Sequence, residues 1–186
     1  MTTWIILGII VVAIGYAISL YNGLVSKRQM AEEGWSGIDV QLKRRTDLIP
    51  NLMETVKGYM GHERETLEAV TNARAAAQNA SNGTPGERSK VEGLLSGALG
   101  RLLAVAEAYP DLKANTTFLE FQGALQTVED EIQMARRYYN GAVRNLNVAV
   151  ESVPSNFVAN AFGFTKAEYF ELENVEDRAV PNVKFN

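Results

Sequence analysis

Residues 2–26 carry no charged side chain, and the first charges of the chain are Lys27 and Arg28. The run Trp4-Ile5-Ile6-Leu7-Gly8-Ile9-Ile10-Val11-Val12-Ala13-Ile14 continues apolar to Leu20. Crossing a bilayer as a helix takes about 20 such residues. Trp4 and Tyr21 bracket the run like interface anchors, roughly 26 Å apart along a helix. A cleaved signal peptide is the competing reading, because Ala17-Ile18-Ser19 has small-x-small form. No Lys or Arg precedes the run, however, and the run is long for the apolar core of a signal peptide. Residues 1–26 are therefore read as a transmembrane anchor. Only the α-amino group precedes the span, whereas Lys27, Arg28 and then Lys43-Arg44-Arg45 come after it. The positive-inside rule then expects the rest of the chain in the cytoplasm, N-out and C-in.

The chain beyond the anchor is long enough for one domain. Of 186 residues, 46% are hydrophobic, so a sizeable core can form. The formal net charge of −4 argues against nucleic acid as a partner, since that needs a basic footprint. With no cysteine, disulfides, Cys-ligated zinc and thiol catalysis are excluded. One histidine, His62, leaves little for imidazole chemistry.

The period of the soluble part is helical throughout. Phe118, Phe121, Leu125, Val128, Ile132, Ala135, Tyr139, Ala142, Leu146, Ala149 and Val153 step by threes and fours over five heptads. That is an a/d stripe, suited to a bundle or a coiled coil. Asn115, with Thr117 and Glu120, starts this helix, and Pro154 ends it. An earlier helix opens at Thr84-Pro85-Gly86-Glu87, which has capping-box form with Pro at the first helical position. Its stripe is Val91, Leu95, Ala98, Leu102, Val105, Tyr109, closed by Pro110-Asp111. Ser81-Asn82-Gly83 is a loop. Upstream, Trp35, Ile38, Leu42, Ile49, Leu52, Val56, Tyr59, Leu67 and Val70 form a further stripe, with Arg45 and Glu63 at core-like positions. Asp47 can cap a helix at Leu48 that tolerates Pro50 in its first turn. Either a tight turn at Thr46-Asp47 or one long kinked helix fits. The chain thus divides into an anchor over 1–26, a helical bundle over 27–153 with helices near 27–46, 48–80, 85–109 and 115–153, and a tail over 154–186. In the tail, Phe157, Phe162, Phe164, Tyr169, Phe170 and Phe185 suggest packing on a bundle, Thr165-Lys166-Ala167-Glu168 can cap a short helix, and Glu171, Glu173, Glu176 and Asp177 make the end acidic.

Several blocks resemble the LemA family: Tyr21-Asn22-Gly23-Leu24-Val25, Ile38 through Arg45, Asp47 through Leu52, Tyr109 through Asn115, Ala135 through Asn140, and Phe162-Gly163-Phe164. The resemblance covers nearly the whole chain. It implies a bacterial single-pass protein of the inner membrane, all-α, with an up-and-down bundle of four long antiparallel helices and a cytoplasmic domain. It implies no established enzymatic activity.

No constellation of catalytic groups stands out. His62-Glu63 lacks the second His of a zinc protease helix. No Ser sits on a G-x-S-x-G elbow. Glu129-Asp130-Glu131 lacks the Glu-x-x-His of diiron bundles and reads as a solvated face. Lys43-Arg44-Arg45 lies about 25 Å of straight helix beyond the span, further than a Debye length of about 8 Å, and reads as a solvated or ion-paired face. No catalytic, cofactor-binding or metal-ligating residue is therefore assigned.

Two small-residue faces remain as candidate helix contacts. Gly15, Ser19 and Gly23 lie in the span at spacings of four, a pattern that lets membrane helices approach closely. Gly93, Gly97, Gly100 and Ala104 form a second face, about 200° around their helix from its Leu stripe. Each interior Gly costs about 1 kcal/mol of helix propensity relative to Ala, which a close helix, inside the bundle or from a neighbour, would offset. The expectation is a non-enzymatic, self-associating scaffold that presents a helical surface to an unknown membrane or cytoplasmic protein. A monomeric regulatory adaptor of a membrane protease or kinase is the alternative, and an undiscovered hydrolase a remote one.

Overall fold

The structure is a computed structural model and describes residues 1–171. These residues form six helices in order: α1 (Thr2–Lys57), α2 (Arg64–Asn79), α3 (Pro85–Ala106), α4 (Pro110–Lys113), α5 (Thr116–Glu151) and α6 (Ser155–Phe162). No strand occurs among the described residues, and the chain is all-α.

α1 is one helix of 56 residues that begins in the apolar run and continues to Lys57. The expected helices over 27–46 and 48–80 are therefore replaced by a different division. Of the two readings at Thr46-Asp47, the long helix forms rather than the turn, and the break falls at residues 58–63. Pro50 has no N–H, so the Thr46 carbonyl loses its helical donor. Arg74 of α2 supplies a replacement, its Nε donating to the Thr46 oxygen at 3.1 Å. With that carbonyl satisfied, the helix passes through the proline. Gly58 and Gly61 mark the real break. There the Tyr59 and Met60 amides both fold back onto the Val56 carbonyl, each at 3.0 Å.

The chain separates into two compact units, with α1 and α5 contributing to both. The unit formed by residues 39–133, with Phe170 and Glu171, is a four-helix bundle in up-and-down order. Pairs of contacts give the directions. Arg45 of α1 meets Glu129 of α5, and Tyr59, just past the end of α1, meets Asn115, just before α5, so these helices run antiparallel. Asp39 and Arg45 meet Arg88 and Glu92 of α3, so α1 and α3 run parallel. α2 lies between them in sequence, runs opposite to α1 and packs on α3. The core includes Ile49, Leu52, Val56, Met60, Val70, Leu95, Leu102, Leu112, Phe118 and Leu125. Local signals set the helix starts. At α3, the Glu87 amide donates to Thr84 Oγ1 at 3.3 Å and the Thr84 amide to Glu87 Oε2 at 2.9 Å, a reciprocal cap with Pro85 at the first position. At α5, the Phe118 amide donates to Asn115 Oδ1 at 3.0 Å.

The other unit comprises residues 1–38 and 134–169. Here α1 and α5 again run antiparallel, with Gly34 opposite Tyr138 and Tyr139, and Leu24 clustered with Ala149 and Val150. The α5 stripe is buried at Ile132, Tyr139, Ala142 and Leu146, but its last expected member, Val153, lies past the helix end and is 73% exposed. The expected helix at Thr165–Glu168 is absent. The Asn147 side chain claims both backbone groups of Ala167, donating to its carbonyl at 3.0 Å and accepting from its amide at 2.8 Å. The short helix is α6 instead, stopped by Gly163 in the left-handed conformation at φ 72°, with the Phe164 amide closing on the Ala159 carbonyl at 2.9 Å. Phe164 is buried here, and Phe170 is buried in the bundle unit. The expectations for Glu173, Glu176, Asp177 and Phe185 fall outside the described residues.

Candidate functional site

The core-like position of Arg45 in the α1 stripe turns out to be the centre of a buried charge cluster. Arg45 is fully buried. Its Nη1 donates to Glu129 Oε1 of α5 at 2.5 Å and to Ser96 Oγ of α3 at 2.7 Å. Its Nη2 donates to Glu92 Oε2 at 2.5 Å and to the Glu92 carbonyl at 3.3 Å. Glu92 is itself buried and lies 3.9 Å from Arg88 Nε. Arg88, also buried, reaches Asp39 of α1 at 2.5 Å and the Ser81 carbonyl at 3.2 Å. Ser89 donates to the Glu171 carbonyl at 2.6 Å. Two guanidinium groups thus hold α1, α3 and α5 against three carboxylates. An unpaired charge at this depth is strongly destabilising, so the cluster favours the one register in which every member is matched.

The cluster's chemistry is positional. Ser96 Oγ accepts from a guanidinium, which cannot take up its proton, and His62 lies exposed in the 58–63 turn. No group of three or more His, Asp or Glu side chains placed to hold a metal occurs among the described residues. Of the basic triplet, Arg45 is consumed in the core, Lys43 pairs with Asp47 at 3.0 Å on the surface, and Arg44 is exposed. Glu63, expected in the core, is half-buried and accepts from the Tyr109 hydroxyl at 3.3 Å. Burial and the Glu63 charge raise the Tyr109 pKa above its ordinary value.

The small-residue faces have open space beside them. A Cβ added at Gly15, Gly23, Gly93, Gly97 or Gly100 would meet nothing within 4 Å. Gly15, Ser19, Gly97, Gly100 and Ala104 are exposed, while Gly23 and Gly93 are half-buried. The glycine that does serve a close approach is Gly34, which sequence reasoning missed. A Cβ there would lie 3.0 Å from Tyr139 Cα and 3.0 Å from Tyr138 Cδ1. Its signal was present, because Gly34 stands three residues after Ala31 and four before Ile38, on the buried stripe of α1. Next to it the Trp35 and Tyr139 rings pack in a tilted arrangement, with centroids 5.4 Å apart. The Tyr139 hydroxyl donates to the Glu168 carbonyl at 2.8 Å. Burial first, then the Glu168 charge, pushes the Tyr139 pKa up to about 12.

Along α1, Trp4, Ile9, Val11 and Val12 are 80%, 64%, 61% and 72% exposed. The helix is long and apolar enough to cross a membrane, and none of its most apolar stretch is buried in the chain. Comparison with known proteins fits this frame. Magnetosome protein MamQ 2 of Paramagnetospirillum magneticum is 27% identical over 184 residues, covering 86% of this chain and 68% of the relative. Magnetosome protein MamQ of Magnetospirillum gryphiswaldense is 25% identical with the same coverage. Protein LemA of Metamycoplasma hominis is 28% identical over 157 residues, covering 83% of this chain and 70% of that protein. These relatives are LemA- and MamQ-type proteins rather than members of known enzyme families. Residues 34–185, which contain the paired glycine, the charge cluster and nearly all of the bundle, match the LemA family, and the chain belongs to it.

Proposed function

We propose that the chain is a non-enzymatic scaffold of the bacterial inner membrane. It is anchored by the first part of α1, self-associates, and presents a helical surface to partner proteins from the cytoplasmic side. The observation that carries this reading is the exposed face of α3. Gly97, Gly100 and Ala104 are exposed, and the glycines have nothing within 4 Å to pack against. Glycine in a helix interior costs about 1 kcal/mol relative to Ala. No packing inside the described chain offsets that at these positions, whereas a helix from a second copy seated on the face would. Gly15, likewise with open space beside it, and the exposed Ser19 offer a small-residue face in the anchor, where close packing drives helix association. Lys27 and Arg28 after the apolar run support a cytoplasmic domain.

The test is particle size in mild detergent. Gly15→Leu with Ser19→Leu, or Gly97→Leu with Gly100→Leu, should give a smaller particle without loss of thermal stability. A wild-type monomer that recovers one stoichiometric membrane partner would replace the scaffold with a regulatory adaptor. Unchanged particle size in both pairs would remove these faces from assembly.

A further inference from the structure

The membrane-side path of the chain carries more than the anchor alone. Within the unit of residues 1–38 and 134–169, α5 descends along α1, from Tyr139 beside Trp35 to Ala149 and Val150 beside Leu24. The chain then turns into α6 and climbs back. Ala167 is bonded by Asn147, and the Glu168 carbonyl by Tyr139. α6 is therefore the turning point of the unit, and it sits at the level where the apolar run of α1 ends. Phe162 packs edge-on against Tyr21 at 4.9 Å, and Tyr21 comes directly after Leu20, the last residue of that run. Phe164 meets the same ring at 5.7 Å, and Ala159 is buried with Leu24.

At this level the chain is apolar on its outside. Residues 152–165 include no charged side chain. Val153, Phe157 and Phe162 are 73%, 67% and 65% exposed, a large apolar surface for one turn and an eight-residue helix. Bases flank it: Arg28, with its guanidinium 5.2 Å over the Phe164 ring, and Lys166, paired to Glu151 at 2.8 Å, while Lys27 precedes Arg28 in the chain. Exposed aromatics flanked by cations and level with the end of a span are the chemistry of a bilayer interface. We infer that α6 lies in the headgroup region of the membrane, with Val153, Phe157 and Phe162 inserted beside the anchor. The occupant of this face is the lipid surface. The inference rests on the reading of α1 as a membrane anchor.

The experiment uses the full chain, whose lack of native cysteine allows single probes. Phe157→Cys and, independently, Val153→Cys are labelled with an environment-sensitive fluorophore. The labelled protein is reconstituted in vesicles of equal parts phosphatidylcholine and phosphatidylglycerol. Lipid-borne quenchers are placed either near the headgroup or at mid-bilayer. Ile10→Cys in the apolar run and Asn82→Cys in the α2–α3 loop serve as references. The expected result is a blue shift and a loss of fluorescence at 157 and 153 that is greater with the shallow quencher. The probe at 10 should lose more to the deep quencher, and the probe at 82 should lose to neither. If 10 responds to the deep quencher while 157 and 153 behave like 82, the anchor stands and the interfacial helix is refuted. If 10 is also silent, the anchor reading fails and takes this inference with it. Shielding of 157 from aqueous iodide without any lipid quenching would mean that protein covers the face, which also overturns it.

Discussion

Truncating Glu92 is the sharpest test of the buried cluster. Its carboxylate accepts from Arg45 Nη2 at 2.5 Å and faces Arg88 Nε at 3.9 Å, with its own side chain 2% exposed. Glu92→Ala leaves the fully buried Arg45 with Glu129, Ser96 and one backbone carbonyl, while Arg88 keeps Asp39. Breaking a buried pair by removing one partner costs about 3–5 kcal/mol. Because Glu129 continues to neutralise Arg45, the expected loss is at the lower end, about 3 kcal/mol. For a chain of this size that lowers the melting temperature by about 6–12 °C. Glu129→Ala should cost less, since the Glu129 side chain is 32% exposed and water already reaches it. Arg45→Met should resemble Glu92→Ala, stranding the carboxylate instead. The double change Arg45→Met with Glu92→Met should be milder than either single one, because replacing a buried pair by apolar side chains of similar volume is often neutral or stabilising. Thermal melts of the full chain in mild detergent, tracked by far-UV circular dichroism, measure all four. If Glu92→Ala shifts the melt no more than Lys43→Ala, whose pair with Asp47 is exposed, the burial of the cluster has no energetic meaning. If the double change costs the sum of Arg45→Met and a matched single Glu92→Met, the residues do not act as a unit.

The glycines should respond in opposite directions. Gly34→Ala forces a Cβ to within 3.0 Å of the Tyr139 backbone and should cost about 1–3 kcal/mol, whereas Gly97→Ala or Gly100→Ala meets open space and should gain up to about 1 kcal/mol in the same melts. Pro50→Ala restores the amide that the Thr46 carbonyl lacks, so Arg74→Ala should destabilise the wild type more than the Pro50→Ala background; equal costs in both would separate Arg74 from the proline. Tyr139 is held neutral to about pH 12 against an ordinary value of 10.0, so the unfolded chain loses this proton first. The group's contribution to stability is therefore whole below pH 10.0 and falls away as pH rises towards 12, and Tyr139→Phe should flatten that part of the alkaline stability profile.

The helices were legible because their causes are local. A period of three and four over Phe118–Leu146, a Thr84–Glu87 cap and an Asn115 cap are each contained in one stretch of chain, and each forms as read. The sequence left the junction of the first two helices open between a turn at Thr46-Asp47 and one long helix, because what decides it is not local. Thr46-Asp47 with Pro50 reads as a helix start, yet the carbonyl that Pro50 orphans is rescued by Arg74, 28 residues away in sequence. Gly58 and Gly61 carried the correct signal, but an unbroken apolar stripe across them masks it.

Arg45 and the glycines show the same division at the level of the site. A cation in phase with an apolar stripe marks a position whose partner must come from another helix, and the sequence of α1 does not say that Glu92 and Glu129 are those partners. A glycine's cost is set by its own backbone and is visible wherever it stands in a helix, but its return depends on what stands opposite. Gly34 and Gly97 have the same cost and opposite surroundings: one touches Tyr138 and Tyr139, and the other touches nothing within 4 Å. Gly34 is therefore explained by the fold of a single chain. Gly97 and Gly100 are not explained by packing in the described chain, and the scaffold we propose would recover their cost through a helix supplied from outside it. The stability and particle-size measurements on these two classes of glycine thus probe different objects, the folded chain in one case and the proposed assembly in the other.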